Sequence, residues 1–533
     1  MKKNEHVNGI CCGYTKDGHG VVKIDGFPLF VKGMLENEEG ELVITMVKKS
    51  YGYARLLNLH KTSAERVKPV CPLAKQCGGC QLQHMSYKEQ LRYKKQKVQD
   101  VIDRIAKLDL KVEDVLGMEH QLYYRNKGQI PVGLKNNIVQ TGFYRINSNE
   151  IIDMNTCLIQ SERINTVLAV MKELLVSYEN ASVFRHLLIK DGFHTGEVMV
   201  VWITRKKNFP HKEDMVKELV DRLPFVKSIV LNLNTREDNV ILGKEEEVLY
   251  GQSFITDTIH GLKFHISSKS FYQVNPVQTE VLYGKALEFC EIKGNETILD
   301  MYCGVGTISM FLAQKAKKVI GIEIVEQAIK NAKENALNNG ISNIEFVCSD
   351  AASYAKKLSE ENMKPDIIVV DPPRKGCDQI TLDSIVKMSP QRIVYVSCDP
   401  ATLARDLRIL EDSGYHCIKV QPVDMFPFSH HIETVVLLSK LKTKKHIDIE
   451  LHTDELDLTS SESKATYQEI KQYVLDKYGF KVSTLNIAQT KQKCGIKERD
   501  NYNKPKMENS KQPNCPKEKE DAIKDAFRYF QMI

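Results

Sequence analysis

The chain has 533 residues, too many for one hydrophobic core, so about three or four domains are expected. Its hydrophobic content of 42% is that of an ordinary soluble protein, and a formal net charge of +6 leans only weakly towards polyanions. No apolar run is long enough to span a bilayer, and the polar start Met1-Lys2-Lys3-Asn4-Glu5-His6 has no signal-peptide core. A membrane partner is therefore excluded and a cytoplasmic chain expected, in which 14 cysteines serve as metal ligands, catalytic thiols or core residues rather than disulfides.

Residues 7 to 66 read as short strands with glycine turns: Gly18-His19-Gly20-Val21-Val22, Phe27-Pro28-Leu29-Phe30-Val31 and Glu41-Leu42-Val43-Ile44-Thr45-Met46-Val47. Regular short strands of this kind predict a small β-barrel. Lys48, Lys49, Tyr51, Tyr53 and Arg55 interleave base with aromatic, as single-stranded nucleic acid binders do, although a solvated strand edge gives the same pattern. Cys71, Cys77 and Cys80 follow with the spacing C-x5-C-x2-C. With a fourth thiolate such a set suits zinc or an iron–sulfur cluster. A helix rich in Lys and Arg is predicted from 87 to 107. Residues 120 to 265 alternate apolar and polar, with a helical pattern near 161 to 177, and predict an α+β domain; Arg125 and Lys127 within it are candidate phosphate contacts.

From about 270 to 441 strand and helix patterns alternate, which predicts a doubly wound parallel sheet. Beyond Lys445 the composition shifts. An acidic, serine-containing linker is expected at 446–463, then two short helices around Gly479, a loop near 504–516 and an amphipathic helix from 518 to 530. The basic run from 491 to 506 is a candidate RNA or ribosome contact. The expected division is thus 1–66, 67–268, 269–445 and 446–533.

The chemistry concentrates in the alternating region. Thr297-Ile298-Leu299-Asp300-Met301-Tyr302-Cys303-Gly304-Val305-Gly306-Thr307 is a strand entering a glycine turn and then a helix. Glycines there let a ligand approach the backbone closely. The next strand, Val319-Ile320-Gly321-Ile322-Glu323, ends in an acid placed to take both hydroxyls of a ribose. The third, Ile344-Glu345-Phe346-Val347-Cys348, leads to Asp350, placed to accept from an adenine amino group. A nicotinamide enzyme would carry three glycines as G-x-G-x-x-G. The Asp-x-x-x-Gly-x-Gly form here instead resembles S-adenosylmethionine-dependent methyltransferases, with Tyr302 and Thr307 of the turn as further candidate cofactor contacts.

Two more strands end in reactive residues. One closes at Asp371-Pro372-Pro373-Arg374, and another runs Ile393-Val394-Tyr395-Val396-Ser397-Cys398-Asp399-Pro400. Amino-methylating enzymes carry an aromatic after Asp-Pro-Pro, and cytosine-5 RNA methyltransferases carry Pro-Cys in that loop; Arg374 matches neither. Nearby Cys377 is read as a packing residue. The Asp-Pro-Pro-Arg and Ser-Cys-Asp-Pro elements, together with Phe426-Pro427-Phe428-Ser429-His430-His431-Ile432-Glu433 and Phe271-Tyr272-Gln273-Val274-Asn275, resemble the uracil-5 RNA methyltransferase family over about residues 8 to 441. Ser429 stands where many members have Thr.

The resemblance implies a methyltransferase fold, Cys398 as nucleophile, Glu433 as base and Gln273 as a cofactor contact. Asp371 lies at the cofactor site and is placed to accept from the uracil N–H. Phe271 is a candidate to stack on a flipped base, or a core aromatic. His430 and His431 are given no chemical role. The resemblance also implies Cys157 as the fourth ligand, a [4Fe-4S] cluster of structural rather than redox function, and a TRAM-type RNA-binding barrel. Members carrying both barrel and cluster are similar to 23S ribosomal RNA enzymes. The expected partner is therefore 23S rRNA, with the protein a monomer. A transfer-RNA uracil-5 methyltransferase and a non-catalytic RNA-binding protein are the competing readings.

Overall fold

The protein is described by a computed structural model over residues 1–440, 467–494, 515–530 and 532. Five strands, His6–Tyr14, Gly20–Ile24, Phe27–Val31, Glu39–Val47 and Gly52–Lys61, close into the expected barrel. Strand alternation sends Val22, Leu29, Val31, Leu42 and Ile44 inward with Cys11. At Gly20 a Cβ would lie 2.6 Å from the Met34 carbonyl oxygen and 2.8 Å from Cys11 Sγ, so only glycine lets the strands close there. Phe30 stacks on Tyr51 with ring centroids 5.2 Å apart, and Tyr53 sets its edge against both. The interleaved lysines, Lys48 and Lys49, are exposed beside this half-buried aromatic cluster.

The basic segment begins where Ser86 caps the helix Tyr87–Val101, its hydroxyl accepting from the Glu89 N–H at 3.1 Å. It ends in a widened turn, Ile102–Ala106, closed by Lys107 in the left-handed conformation, earlier than the uniform helix expected to 107. Val98, Ile102 and Ala106 are buried under the C-terminal sheet, so this helix is a packed element despite its composition.

The central sheet has seven strands in the spatial order Glu245–Gly251, Val226–Leu233, Val198–Thr204, Phe184–Asp191, Lys127–Lys135, Ile138–Tyr144 and Ile151–Asp153. The helix near 161–177 is present as Glu162–Ser177, and a second, Lys212–Arg222, joins it over the same face. Val198, Val200 and Trp202 meet those helices, while Met199, Val201 and Ile203 of the same strand enter a different core. Both faces are covered, so this strand is buried throughout instead of alternating as expected.

The C-terminal sheet runs Ile344–Cys348, Lys318–Glu323, Thr297–Met301, Ile367–Val370, Arg392–Ser397, Glu433–Ser439 and His416–Val423. The first five are mutually parallel, but Glu433–Ser439 and His416–Val423 pair antiparallel, which corrects the expected all-parallel sheet. No helix separates the last two strands, and a connection without a crossover allows only antiparallel pairing. The strand order reverses between Thr297–Met301 and Ile367–Val370, the switch point at which open α/β sheets leave a crevice at their carboxyl ends.

The hairpin Phe254–Ile259 and Leu262–Ser267 and the helix Pro276–Cys290 lie between the two sheets. Met199, Val201 and Ile203 of the central sheet and Ile298, Val369, Val394 and Val435 of the C-terminal sheet share one core with them. The boundary expected at 268/269 therefore runs through a continuous apolar layer. Each fully buried Val, Leu or Ile in it stabilises by about 1.5–3 kcal/mol.

Met1–Lys442 form one compact unit and Thr443–Ile533 another. In the second, the helices Tyr467–Tyr478, Thr484–Lys493 and Lys517–Tyr529 gather around Ile470, Val474, Ile487, Ile523 and Phe527. Asp525 accepts from the hydroxyls of Tyr473 and Tyr478 and from Lys477 Nζ. The linker expected at 446–463 and the basic run beyond Cys494 lie outside the described residues. Among the described residues no helix is long and apolar enough to cross a membrane.

Candidate active site

The crevice at the switch point opens into a cavity of about 980 Å3. Gln273, Tyr302, Thr307, Glu323, Asp350, Asp371, Cys398 and Glu433 all line it. One half of the cavity has the form of a nucleoside cradle. Gly306 has φ +81°, and a Cβ there would lie 2.7 Å from the Phe346 ring. Gly304 has φ +56°, leaving the turn backbone open to the cavity. Glu323 accepts from the Gly304 N–H at 3.2 Å and from the Val325 N–H at 2.9 Å, which fixes its carboxylate at the strand end. Asp350 caps the helix Ala351–Glu360, accepting from the Ser353 N–H at 3.0 Å. Beneath the turn Asp300 is buried and accepts from Ser309 Oγ at 2.5 Å; burial pushes its carboxyl up to about 7.

The other half carries the reactive groups. Cys398 follows the parallel strand Arg392–Ser397, whose partner across the ladder is Glu433–Ser439, with Ser397 opposite Thr434. Antiparallel pairing puts the first residue of that partner, Glu433, beside the carboxyl end where Cys398 sits. Glu433 is buried and Cys398 half-buried: burial, then the Glu433 and Asp371 charges, push the Cys398 thiol up to about 11. Burial, then Asp371, also raise the Glu433 carboxyl well above its ordinary range. Arg374 opposes both shifts, so its guanidinium is the local counter-charge. Burial pushes Asp371 up to about 7. Two acids pushed upward beside a thiol in one cleft mark it as a place for proton transfer.

Phe271 is 66% exposed and lines this cavity, which excludes its reading as a core aromatic. Cys377 is buried as a packing residue. Arg125 and Lys127 also face the cavity, with Gly78, Gly79 and Gln81 of the cysteine loop. Burial holds the His431 ring neutral, with its pKa down to about 4.

A second groove of about 840 Å3 was not legible in the sequence. Lys16, Lys23 and Phe30 of the barrel, and Gln96, Lys97 and Arg104 along the basic segment, line it. It meets the first cavity at Arg374, Cys398 and His431, so the thiol is reached from two sides. Its walls come from stretches as far apart in sequence as Cys12 and His431, with no shared local pattern.

Cys71, Cys77, Cys80 and Cys157 line a third cavity of about 190 Å3. All four are free thiols. Among the described residues, no three or more His, Cys, Asp or Glu side chains are drawn together around one metal-ion position.

Comparison with known proteins identifies the architecture. The model of the tRNA (uracil-5-)-methyltransferase family matches residues 86–441. The chain belongs to the RNA uracil-5 methyltransferase family. An uncharacterized RNA methyltransferase of Clostridium tetani is 47% identical over 454 residues, spanning 84% of this chain and 98% of that one. A counterpart from Oceanobacillus iheyensis is 49% identical over 447 residues, 82% and 97% of the two chains. Among solved structures, the tRNA (uracil-54, C5)-methyltransferase of Pyrococcus abyssi, in complex with S-adenosyl-L-homocysteine, superposes with a TM-score of 0.65 at 27% identity. It covers 81% of this chain and 100% of its own. The C-terminal sheet of this family member thus has the S-adenosylmethionine-dependent methyltransferase fold, and its substrate is RNA.

Proposed function

We propose that the protein methylates carbon 5 of a uridine in 23S rRNA through a covalent adduct on Cys398. The adjacency of Cys398 and Glu433 across one antiparallel ladder carries this reading. Carbon 5 of uracil is a poor nucleophile. The Cys398 thiolate adds to carbon 6, and the electron pair of the carbon 5–carbon 6 double bond moves into an enolate. Carbon 5 then takes the methyl group that the sulfonium of S-adenosylmethionine would supply when bound, the methyl–sulfur bond breaking with its electron pair left on that sulfur. Glu433 removes the carbon 5 proton, the double bond re-forms, and the carbon 6–sulfur bond breaks with its electrons returning to Cys398. Asp371 accepts from the uracil N–H, and Arg374 steadies the thiolate and the ionised Glu433. Gln273, Tyr302, Thr307, Glu323 and Asp350 hold the nucleoside cofactor in the glycine-lined half of the cavity, Glu323 taking the ribose hydroxyls.

The four cysteines are assigned to a [4Fe-4S] cluster. A single zinc ion sits about 2.3 Å from each sulfur and draws four thiolates to a point. The four cysteines line one cavity, and the choice of a cluster over zinc rests on the resemblance. The substrate assignment rests on the resemblance of the barrel and cysteine set to rRNA enzymes. The similarity to a tRNA enzyme over 81% of this chain supports a second reading, a tRNA uracil-5 methyltransferase, because that enzyme shares the architecture. Incubation with methyl-labelled cofactor and separately purified, unmodified 23S rRNA and tRNA decides between them. Label in 23S rRNA alone is expected; label in tRNA alone overturns the rRNA assignment and leaves the chemistry standing.

A further inference from the structure

The segment 424–431 leads directly into Glu433, and its fixation is unusual. It has no regular secondary structure. Instead, one face of the helix Tyr87–Val101 grips it at almost every second residue. Tyr87 Oη donates to Asp424 Oδ2 at 3.0 Å, and Lys94 Nζ donates to Asp424 Oδ1 at 2.6 Å and to the Phe426 carbonyl at 3.0 Å. Gln90 Oε1 accepts from the Phe428 N–H at 2.9 Å, and Lys97 Nζ donates to the His430 carbonyl at 2.7 Å. Positions 87, 90, 94 and 97 recur at the helical period and form one stripe. From the other side, the N–H groups of Gln81 and Leu82 in the cysteine loop both donate to the Phe428 carbonyl, at 2.9 and 2.8 Å. Phe428 itself is held at φ +67°, a conformation that a bulky L-residue keeps only when its surroundings impose it.

Lys94 and Asp424 are both fully buried. Apolar residues of similar volume would fill that space without the desolvation penalty of two charges, so stability alone does not account for the pair. It fixes register: no other donor replaces Lys94 at Asp424 and Phe426 together if the segment slides.

We infer that this stripe and the Gln81–Leu82 backbone form a polar clamp that sets the position of Glu433 against Cys398, with Lys94 and Lys97 as positioning residues for the proton-removal step. The inference rests on Glu433 being the base. Misplacing a base by about 1 Å costs on the order of 100-fold in rate while leaving substrate affinity intact. The clamp reaches Glu433 through the backbone of the segment, and none of its hydrogen bonds goes to Cys398, so proton removal is expected to suffer more than adduct formation.

The test compares Lys97→Met, Lys97→Arg and the charge-balanced double change Lys94→Met with Asp424→Asn against Glu433→Gln. Each is incubated with cofactor and a mixture of unmodified 23S rRNA and tRNA transcripts, so the outcome is independent of which RNA is the substrate. Lys97→Met is expected to lower kcat about tenfold or more with the RNA KM within about twofold, and to accumulate methylated protein–RNA adduct as Glu433→Gln does. Lys97→Arg, which keeps a donor, restores turnover. Unchanged kinetics in Lys97→Met overturns the clamp. So does a raised KM without adduct, which makes Lys97 a phosphate contact in the groove. Should the double variant fail to melt cooperatively, Lys97→Met alone decides. If Glu433→Gln itself accumulates no adduct, the base assignment fails instead, and the two failures are distinguished.

Discussion

Replacing Glu433 by Gln separates bond formation from bond release. The amide is nearly isosteric and cannot take the carbon 5 proton. Loss of a positioned general base slows its step by about 10²–10⁴-fold, equivalent to about 3–5 kcal/mol of activation free energy. Addition is not slowed. The Glu433 charge is one of the influences that push the Cys398 thiol up, so removing it eases thiolate formation. With addition unhindered and elimination that much slower, nearly all enzyme engaged with RNA is expected as methylated adduct. A denaturing gel with RNA and cofactor should show a slow, heat-stable band, and nuclease digestion should release a peptide carrying Cys398 joined to a methylated base. Cys398→Ala combined with Glu433→Gln should abolish the band. The variant should also melt higher than the parent at neutral pH. A carboxyl whose folded pKa lies above its unfolded value stabilises fully below the unfolded value and loses that stability as pH rises; Gln escapes the loss. Normal turnover by Glu433→Gln refutes the base assignment and makes His431 the next group to test. Activity in Cys398→Ala refutes the covalent mechanism.

The same sign applies to Asp300 and Asp371, each pushed from 3.8 to about 7 by burial. Between about pH 4 and pH 7 the fold should lose up to about 4 kcal/mol per carboxyl, seen as a falling melting temperature; a flat profile over that range contradicts the buried-acid geometry. Because the Cys398 thiol is pushed up to about 11, kcat/KM should climb through pH 7 to 9 by close to tenfold per unit, and a plateau below pH 8 would mean RNA binding supplies a new counter-charge. Protein purified without oxygen should be brown, and Cys157→Ser should bleach it; a colourless protein with one zinc per chain overturns the cluster. A chain ending at Lys442 should bind S-adenosylmethionine with the affinity of the full chain by calorimetry, and a lost heat signal would show that the second unit is needed for the fold.

What was legible in the sequence was local. Glycine-punctuated strands announced the barrel because turn chemistry and alternation are properties of neighbours. The glycine turn and the acids ending successive strands marked the cofactor half of the sheet for the same reason. Three features depended on partners far away. The antiparallel direction of Glu433–Ser439 depends on the strand it pairs with, and an apolar run reads alike in either direction. The helix Tyr87–Val101 was legible only as rich in Lys and Arg, a composition that usually marks solvent. Lys94 instead finds Asp424 at a separation of 330 residues, and no pattern in the helix announces that partner. Phe271 read equally well as core or stacking residue because composition does not report exposure.

The antiparallel ending also explains how one sheet edge presents two reactive groups with opposite demands. On a purely parallel sheet every residue at the carboxyl edge follows a strand and hands over to a helix, as Cys398 hands over to the helix capped by Asp399. The first N–H groups of that helix are taken by the Asp399 carboxylate, and the Cys398 thiol is pushed up, not down. A base that must become neutral on accepting a proton gains nothing from such a place. Glu433 reaches the same edge at the start of its strand instead, out of a non-helical segment, and burial raises its proton affinity without a helix dipole to oppose it. Reversing one strand thus brings a thiol that follows one strand and a buried acid that begins its neighbour to the same edge, across a single ladder. The segment feeding that strand has no helix to hold it, and this is the structural demand that the Tyr87–Val101 stripe meets.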